Sequence, residues 1–268
     1  NCPIYSLLGM KKTNPKIAYA SVLFGKTPED TFQIAKDLKE KNFQAIKFGW
    51  ENFGIDLKKD EEHLIAARDA MRDELELMID VGAIWGTDVE EAKKRFKIFR
   101  DAKITWLEEP FYSDAFYEYS QLYNKTDLPL AGGESCHSIE SAKNMIRFGK
   151  VKFIQIDAGI AGGILAGKEI CDFAERNNVQ YVNHTFTSHL QLSSSLQPYA
   201  SSTKSKFSEF PQQLKSLAWD LTENHISIDK NGCINIPDGV GHGMKINQKA
   251  LDEYNVDVEI FVNKEKLF

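Results

Sequence analysis

Apolar residues along this chain fall in short runs of strand length, and each run is followed by an amphipathic segment of helix length. Five runs stand out, at 77–82, 104–110, 128–134, 151–157 and 179–184. All have the β-branched and aromatic content of strands. Each closes on a group that can bind a metal or move a proton: Asp80, Glu108, Glu134, Asp157 and His184. Successive members of that set lie 28, 26, 23 and 27 residues apart, the repeat of a βα unit. Such units in series make a parallel sheet whose ligands gather at the carboxyl ends of the strands. Runs at 17–23, 43–48 and 206–210 supply three further strands, giving eight in alternation with helices. The pattern therefore predicts an α/β fold, a closed (β/α)₈ barrel of the TIM type.

The helix signals agree. Thr27-Pro28-Glu29-Asp30 is a capping threonine, a proline at the first helical position and acids that suit the dipole, ahead of a face of Phe32, Ala35 and Leu38. Further helices are expected at 60–71, with Leu64, Ala67 and Met71 inward, and at 87–99, 112–123, 138–148 and 164–175. A weaker one, rich in Ser and Gln, spans 188–200. Gly159, Gly162 and Gly163 provide a turn after the sixth strand. Beyond the barrel, 226–236 reads as a hairpin around Asp229-Lys230-Asn231-Gly232 and 239–243 as a glycine-rich loop, both packing outside it.

Composition narrows the partners. A chain of 268 residues holds one such barrel without much to spare. The net charge of −6 is spread along the chain with no basic stripe, which argues against nucleic acid. No apolar run approaches the roughly 20 residues that cross a bilayer, and the first residues lack a signal-peptide pattern. Cys2, Cys136, Cys171 and Cys233 have no CxxC spacing and read as reduced thiols of a cytoplasmic protein.

Asp80, Glu108 and Glu134 stand at the mouth on three successive strands. Converging carboxylates repel unless a cation holds them together, and hard oxygen donors select Mg²⁺, or Mn²⁺, over softer metals. Asp157 and His184 are neighbours on the next two strands, where a carboxylate on one ring nitrogen fixes the tautomer and raises the basicity of the other. Lys47, ending the second strand, faces the same mouth from roughly the opposite side. Together these groups describe abstraction of a proton next to a carboxylate, with a metal stabilising the charge that develops.

With these residues in view, the chain resembles the enolase superfamily, and within it the mandelate racemase subgroup. Ile79-Asp80, Trp106-Leu107-Glu108-Glu109-Pro110, Ala131-Gly132-Gly133-Glu134, Gln155-Ile156-Asp157 and Asn183-His184 carry the resemblance, which covers about residues 17–245. It implies that Asp80, Glu108 and Glu134 are the metal ligands and that Glu109 is a neighbour that does not bind metal directly. His184 would be the general base oriented by Asp157, Lys47 a contact to the substrate carboxylate, and Glu209 the acid that hydrogen-bonds that carboxylate as charge builds.

There are two departures from the family pattern. The subgroup's racemases carry Lys-X-Lys on the second strand; here it is Lys47-Phe48-Gly49, so the opposing base is missing. Racemisation needs a base on each face, whereas dehydration runs with one histidine acting as base and then as acid. The expectation is thus a hydro-lyase converting an aldonate or aldarate to a 2-keto-3-deoxy acid. A racemase or epimerase of a hydroxy acid, and a catalytically inactive barrel that binds metal or acid, stay open as alternatives. The second departure is the family's N-terminal α+β capping domain. Residues 1–14 read as its trailing edge, 15–210 as the barrel, and 211–268 as a segment returning toward the cap. Trp50 and Phe53 are candidate pocket walls, and apolar surface left uncovered by a cap leaves a homo-oligomer open.

Overall fold

The computed structural model describes residues 1–212 and 214–266; residues 213, 267 and 268 of the expected C-terminal segment lie outside the described residues. After a short helix, α1 (Ile4–Leu7), the chain runs β1 (Lys16–Leu23), α2 (Pro28–Glu40), β2 (Ala45–Gly49), α3 (Leu57–Met71), β3 (Glu76–Asp80), α4 (Val89–Lys94), α5 (Phe96–Asp101), β4 (Ile104–Glu108) and α6 (Phe116–Lys125). It continues with β5 (Leu130–Gly132), α7 (Ile139–Asn144), β6 (Phe153–Ile156), α8 (Ile164–Arg176), β7 (Gln180–Asn183), α9 (His189–Leu196) and β8 (Phe207–Pro211). The eight strands are parallel and ordered β7-β6-β5-β4-β3-β2-β1-β8, the wall of a (β/α)₈ barrel.

A period of two along each strand places the mouth. Tyr19, Ala45, Met78, Trp106, Phe153, Val182 and Phe207 form one buried cluster. Trp106 anchors it, edge-on to Tyr19 at 5.5 Å and against Phe153 at 4.7 Å. Two residues beyond Ala45, Met78, Trp106, Val182 and Phe207 come Lys47, Asp80, Glu108, His184 and Glu209. Alternation along a strand returns these polar groups to the same face, one layer up, on an apolar plug.

One joint in the wall differs from the rest. Among the described residues no backbone ladder joins β7 to β8. Instead the Asn183 carboxamide bridges the gap, its Oδ1 accepting from the Glu209 N–H at 3.1 Å and from the Tyr199 hydroxyl at 2.7 Å. The Thr185 N–H donates across the same gap to Glu209 Oε2 at 2.7 Å.

Several elements depart from the expected boundaries. The helix expected over 87–99 is two, α4 and α5, broken at Arg95. That side chain is fully buried, with Nε 2.6 Å from Asp60 Oδ2 and Nη2 2.8 Å from the Gly54 carbonyl, and drawing it inward interrupts the helix. α3 starts at Leu57, because Asp56 caps the Lys58 and Lys59 amides. α6 starts only at Phe116, after a loop tied to its neighbour by the Tyr112 N–H on the Gly86 carbonyl. The segment 188–200 holds α9 and a 3₁₀ turn (Gln197–Tyr199), and the helix from Ser138 passes into a π turn (Met145–Gly149). In the C-terminal segment, Ile228 bridges Ile234 as in a hairpin, and β9 (Cys233–Ile234), which follows α10 (Ser216–Asp220), also pairs antiparallel with the first residues of β1. The 239–243 loop meets the start of the chain, where the Ile4 N–H donates to the Gly241 carbonyl at 2.8 Å.

Candidate active site

Carboxylate oxygens of Asp80, Glu108 and Glu134 lie within 4.8 Å of one another at the barrel mouth. Asp80 and Glu108 are the last residues of β3 and β4, and Glu134 follows β5 by two positions through Gly133, whose φ is +117°. A Cβ at residue 133 would lie 2.7 Å from Ile154, so glycine is what lets this turn form. The set is crowded with negative charge. Burial pushes the Asp80 pKa up to about 6, with Glu108 adding to it. Burial also raises Glu108 and Glu134. Two buried carboxylates and a half-buried one, mutually repelling and within reach of one small cation, are a donor set that fits Mg²⁺.

Two indoles grip this set from outside. Trp106 Nε1 donates to Glu108 Oε2 at 2.9 Å and Trp50 Nε1 to Asp80 Oδ2 at 3.1 Å. Glu109, by contrast, turns from the cluster. It sits at φ +42° and its carboxylate accepts the Gly133 N–H at 3.3 Å; burial, then Glu134, lifts its pKa to about 8.

Lys47, at the mouth on β2 and away from β6 and β7, reaches in among the carboxylates. Its Nζ lies among them, hydrogen-bonded to Glu108, 3.0 Å from Glu209 and 3.7 Å from Asp80. β2 lies between β1 and β3, and a long side chain from it crosses to the negative charge on β4 and β8. Burial opposes the ammonium, but Glu108 and Glu209 outweigh it and hold the Lys47 pKa well above the ordinary value. Glu209 is fully buried; burial works against its charge, yet Lys47, His184 and the Thr185 N–H hold its pKa below the usual range.

His184 follows β7 and Asp157 follows β6. Asp157 Oδ2 is 3.1 Å from His184 Nδ1, while Oδ1 takes the Gly159 N–H at 2.8 Å and the Gln191 amide at 2.9 Å. Nδ1–H thus points at Asp157, leaving Nε2 toward the cluster, 3.5 Å from Glu134. Burial pulls the His184 pKa down, but the Asp157 bond and the charges of Glu209 and Glu134 prevail and raise it to about 9.

Above these groups opens a cavity of about 260 Å³, walled by Val22, Leu23, Trp50 and Phe186 and floored by Lys47, Asp80, Glu134 and His184. Of the two aromatics proposed as walls, Trp50 is one. Phe53 belongs instead to the core, stacked on Phe24 at 4.5 Å. Gly49 leaves little room for a second base, since a Cβ there would lie 3.0 Å from Asp80 Cβ. Sequence reasoning missed Gln191 and the gripping role of the two indoles: a hydrogen bond across the barrel leaves no local pattern.

Comparison with known proteins agrees with the barrel fold. The family model described as "Enolase C-terminal domain-like" matches residues 31–250. D-gluconate dehydratase from Thermoproteus tenax is 26% identical over 99% of this chain, and the chain spans 55% of that protein's length. D-galactarolactone cycloisomerase from Agrobacterium fabrum is 27% identical over 94% of this chain, which covers 68% of the relative. Among solved structures, one described as a "predicted mandelate racemase" from Rhodobacter sphaeroides superimposes with a TM-score of 0.93 at 38% identity, covering 99% of this chain and 68% of that one.

Proposed function

The chain belongs to the enolase C-terminal domain-like family, and we propose that it removes the proton α to a carboxylate and dehydrates a sugar acid to its 2-keto-3-deoxy acid. What carries the reading is the convergence of the Asp80, Glu108 and Glu134 oxygens within 4.8 Å, faced by the His184–Asp157 pair. Relatives named D-gluconate, L-talarate/galactarate and arabinonate dehydratase support it.

Asp80, Glu108 and Glu134 would hold Mg²⁺. When bound, the ion supplies Lewis-acid stabilisation of the negative charge that builds on the substrate's carboxylate as the proton leaves. The neutral form of His184 takes the C2 proton at Nε2, with Asp157 on Nδ1–H holding the ring in that tautomer. Lys47 offsets charge at the substrate carboxylate, and Glu209 lies 3.0 Å from its ammonium. The electron pair released at C2 expels the C3 hydroxyl, which leaves as water with the proton returned by His184. The enol then becomes the 2-keto-3-deoxy acid.

Leu23, at the end of β1, and Trp50, Ile84, Tyr112, Ile160 and Phe186, one from each of five strand-to-helix loops, are exposed apolar residues. Such a rim suits a covering element over the mouth, as the reading of 1–14 and 211–268 requires, and water exclusion there strengthens the electrostatics. The test is incubation of full-length protein with a panel of aldonates and aldarates plus Mg²⁺. Formation of a 2-keto-3-deoxy product is expected; no turnover and no α-hydrogen exchange in D₂O across the panel would refute the proposal. The cycloisomerase among the relatives favours a second reading, isomerisation. Product mass separates the two, since an isomer keeps the substrate's mass and a dehydration product has lost water.

A further inference from the structure

Trp50 is a large aromatic left 57% exposed at the rim of the cavity, yet it is held in place. Its indole Nε1–H donates to Asp80 Oδ2 at 3.1 Å, and its backbone N–H donates to the Asp80 carbonyl at 3.2 Å. Trp50 and Glu51 take successive left-handed conformations, φ +63° and +56°, which side chains rarely adopt. Strain of this kind persists only where the surroundings enforce it. Here the enforcement is visible at Gly54, whose N–H goes to buried Asp60 and whose carbonyl accepts from Arg95 and from Trp85. On the other side the ring lies flat against Gly82: a Cβ there, at φ +53°, would come within 3.2 Å of the indole. The Gly82 N–H in turn donates to Asp80 Oδ1 at 2.9 Å.

The Asp80 carboxylate is therefore held at both oxygens, one by Gly82 and the other by Trp50. An ionised oxygen can accept more than one bond, so each keeps acceptor capacity toward the mouth. Hydrogen bonds from outside a coordination shell fix ligand orientation, and their loss typically weakens metal binding ten- to a hundredfold. We propose that Trp50 is a positioning residue for Asp80, its indole N–H fixing the rotamer in which that carboxylate faces a divalent cation. The inference rests on the reading of Asp80, Glu108 and Glu134 as the cation site.

The experiment is calorimetric titration of full-length protein with Mg²⁺ alone, comparing the parent with Trp50→Phe and Glu134→Gln. Phenylalanine keeps a ring against Gly82 and removes only the donor. Trp50→Phe should raise the Mg²⁺ Kd about tenfold with unchanged far-UV circular dichroism. If Glu134→Gln weakens binding and Trp50→Phe does not, the role given to Trp50 is wrong while the cation site stands. If neither weakens it, the cation site itself is misread and this inference falls with it. A second measurement needs no folded variant beyond assignment. Of the four indole N–H signals in a ¹⁵N–¹H spectrum, that of Trp50 should lie downfield of Trp219 and move when Mg²⁺ is added. A Trp50 signal at the solvent-exposed position and indifferent to Mg²⁺ overturns the proposal.

Discussion

Replacing Asp60 by alanine strips the buried Arg95 guanidinium of its chief counter-ion. In the parent, Arg95 Nε lies 2.6 Å from Asp60 Oδ2, Nη1 lies 2.6 Å from Glu91 and Nη2 reaches the Gly54 carbonyl. Burial pushes the Asp60 pKa up in spite of the bonds from Gly54 and Arg95. The intact pair thus has little surplus over a well-packed apolar replacement, but breaking it leaves a charge stranded, which costs about 3–5 kcal/mol. Glu91 is part-exposed and remains within reach, so the lower end applies, about 3 kcal/mol. The Gly54 N–H, which loses its acceptor, adds roughly 1 kcal/mol. Together these amount to a melting temperature lower by on the order of 10 °C in a chain of this size. Urea unfolding followed by far-UV circular dichroism measures the loss, and the pair Asp60→Leu with Arg95→Met should regain most of it. A single variant within about 1 kcal/mol of the parent, or a double variant no more stable than the single, would refute the reasoning.

Three further outcomes follow from the same coordinates. His184→Asn should cut α-hydrogen exchange in D₂O by at least about a hundredfold while leaving Mg²⁺ affinity intact, because the imidazole is not in the carboxylate set; lost affinity would contradict that. Gly49→Lys should not create a racemase: its Cβ meets Asp80 at 3.0 Å, so Mg²⁺ binding should weaken and stability fall by about 1–3 kcal/mol, and inversion with normal Mg²⁺ affinity would show the space argument to be mistaken. His189 is buried beside Trp219 and His225, and burial, then His225, pulls its pKa down to about 4. The unfolded chain binds this proton from about pH 6.5 downward and the folded chain only near 4, so stability falls as pH drops across that window and levels off below it, by at most about 3 kcal/mol. His189→Asn should flatten that part of the profile; an unaltered slope in urea titrations between pH 4 and 6.5 would count against it.

The barrel was legible because its signal repeats: the interval from Asp80 to His184 is four βα units, and Pro110 and Gly133 punctuate the strand ends. The positions two residues beyond the interior plug were legible for the same reason, since alternation is a local property of a strand. Lys47 was readable as a mouth residue but not as a neighbour of Glu108 and Glu209, because where a flexible ammonium settles depends on charge contributed by distant strands. The break at Arg95 was hidden as well. Val89, Ala92, Phe96 and Phe99 keep helical spacing through it, and the cause, Asp60, is 35 residues away. Phe53 and Trp50 are both aromatic residues after β2, and contacts with distant partners, Phe24 for the first and Asp80 for the second, send one into the core and the other to the rim.

The gap between β7 and β8 has a consequence for how the wall is fastened. Seven joints of the cask are laced by main-chain bonds, which shift only together. The eighth is clasped by the Asn183 amide, the Tyr199 phenol and the Thr185 N–H, and the imidazole stands on one side of it with Glu209 on the other. The staves bearing the three carboxylates lie on the laced side of the wall, away from that clasp. Among the described residues the frame therefore has one hoop fastened by side chains, and it lies between the imidazole and Glu209.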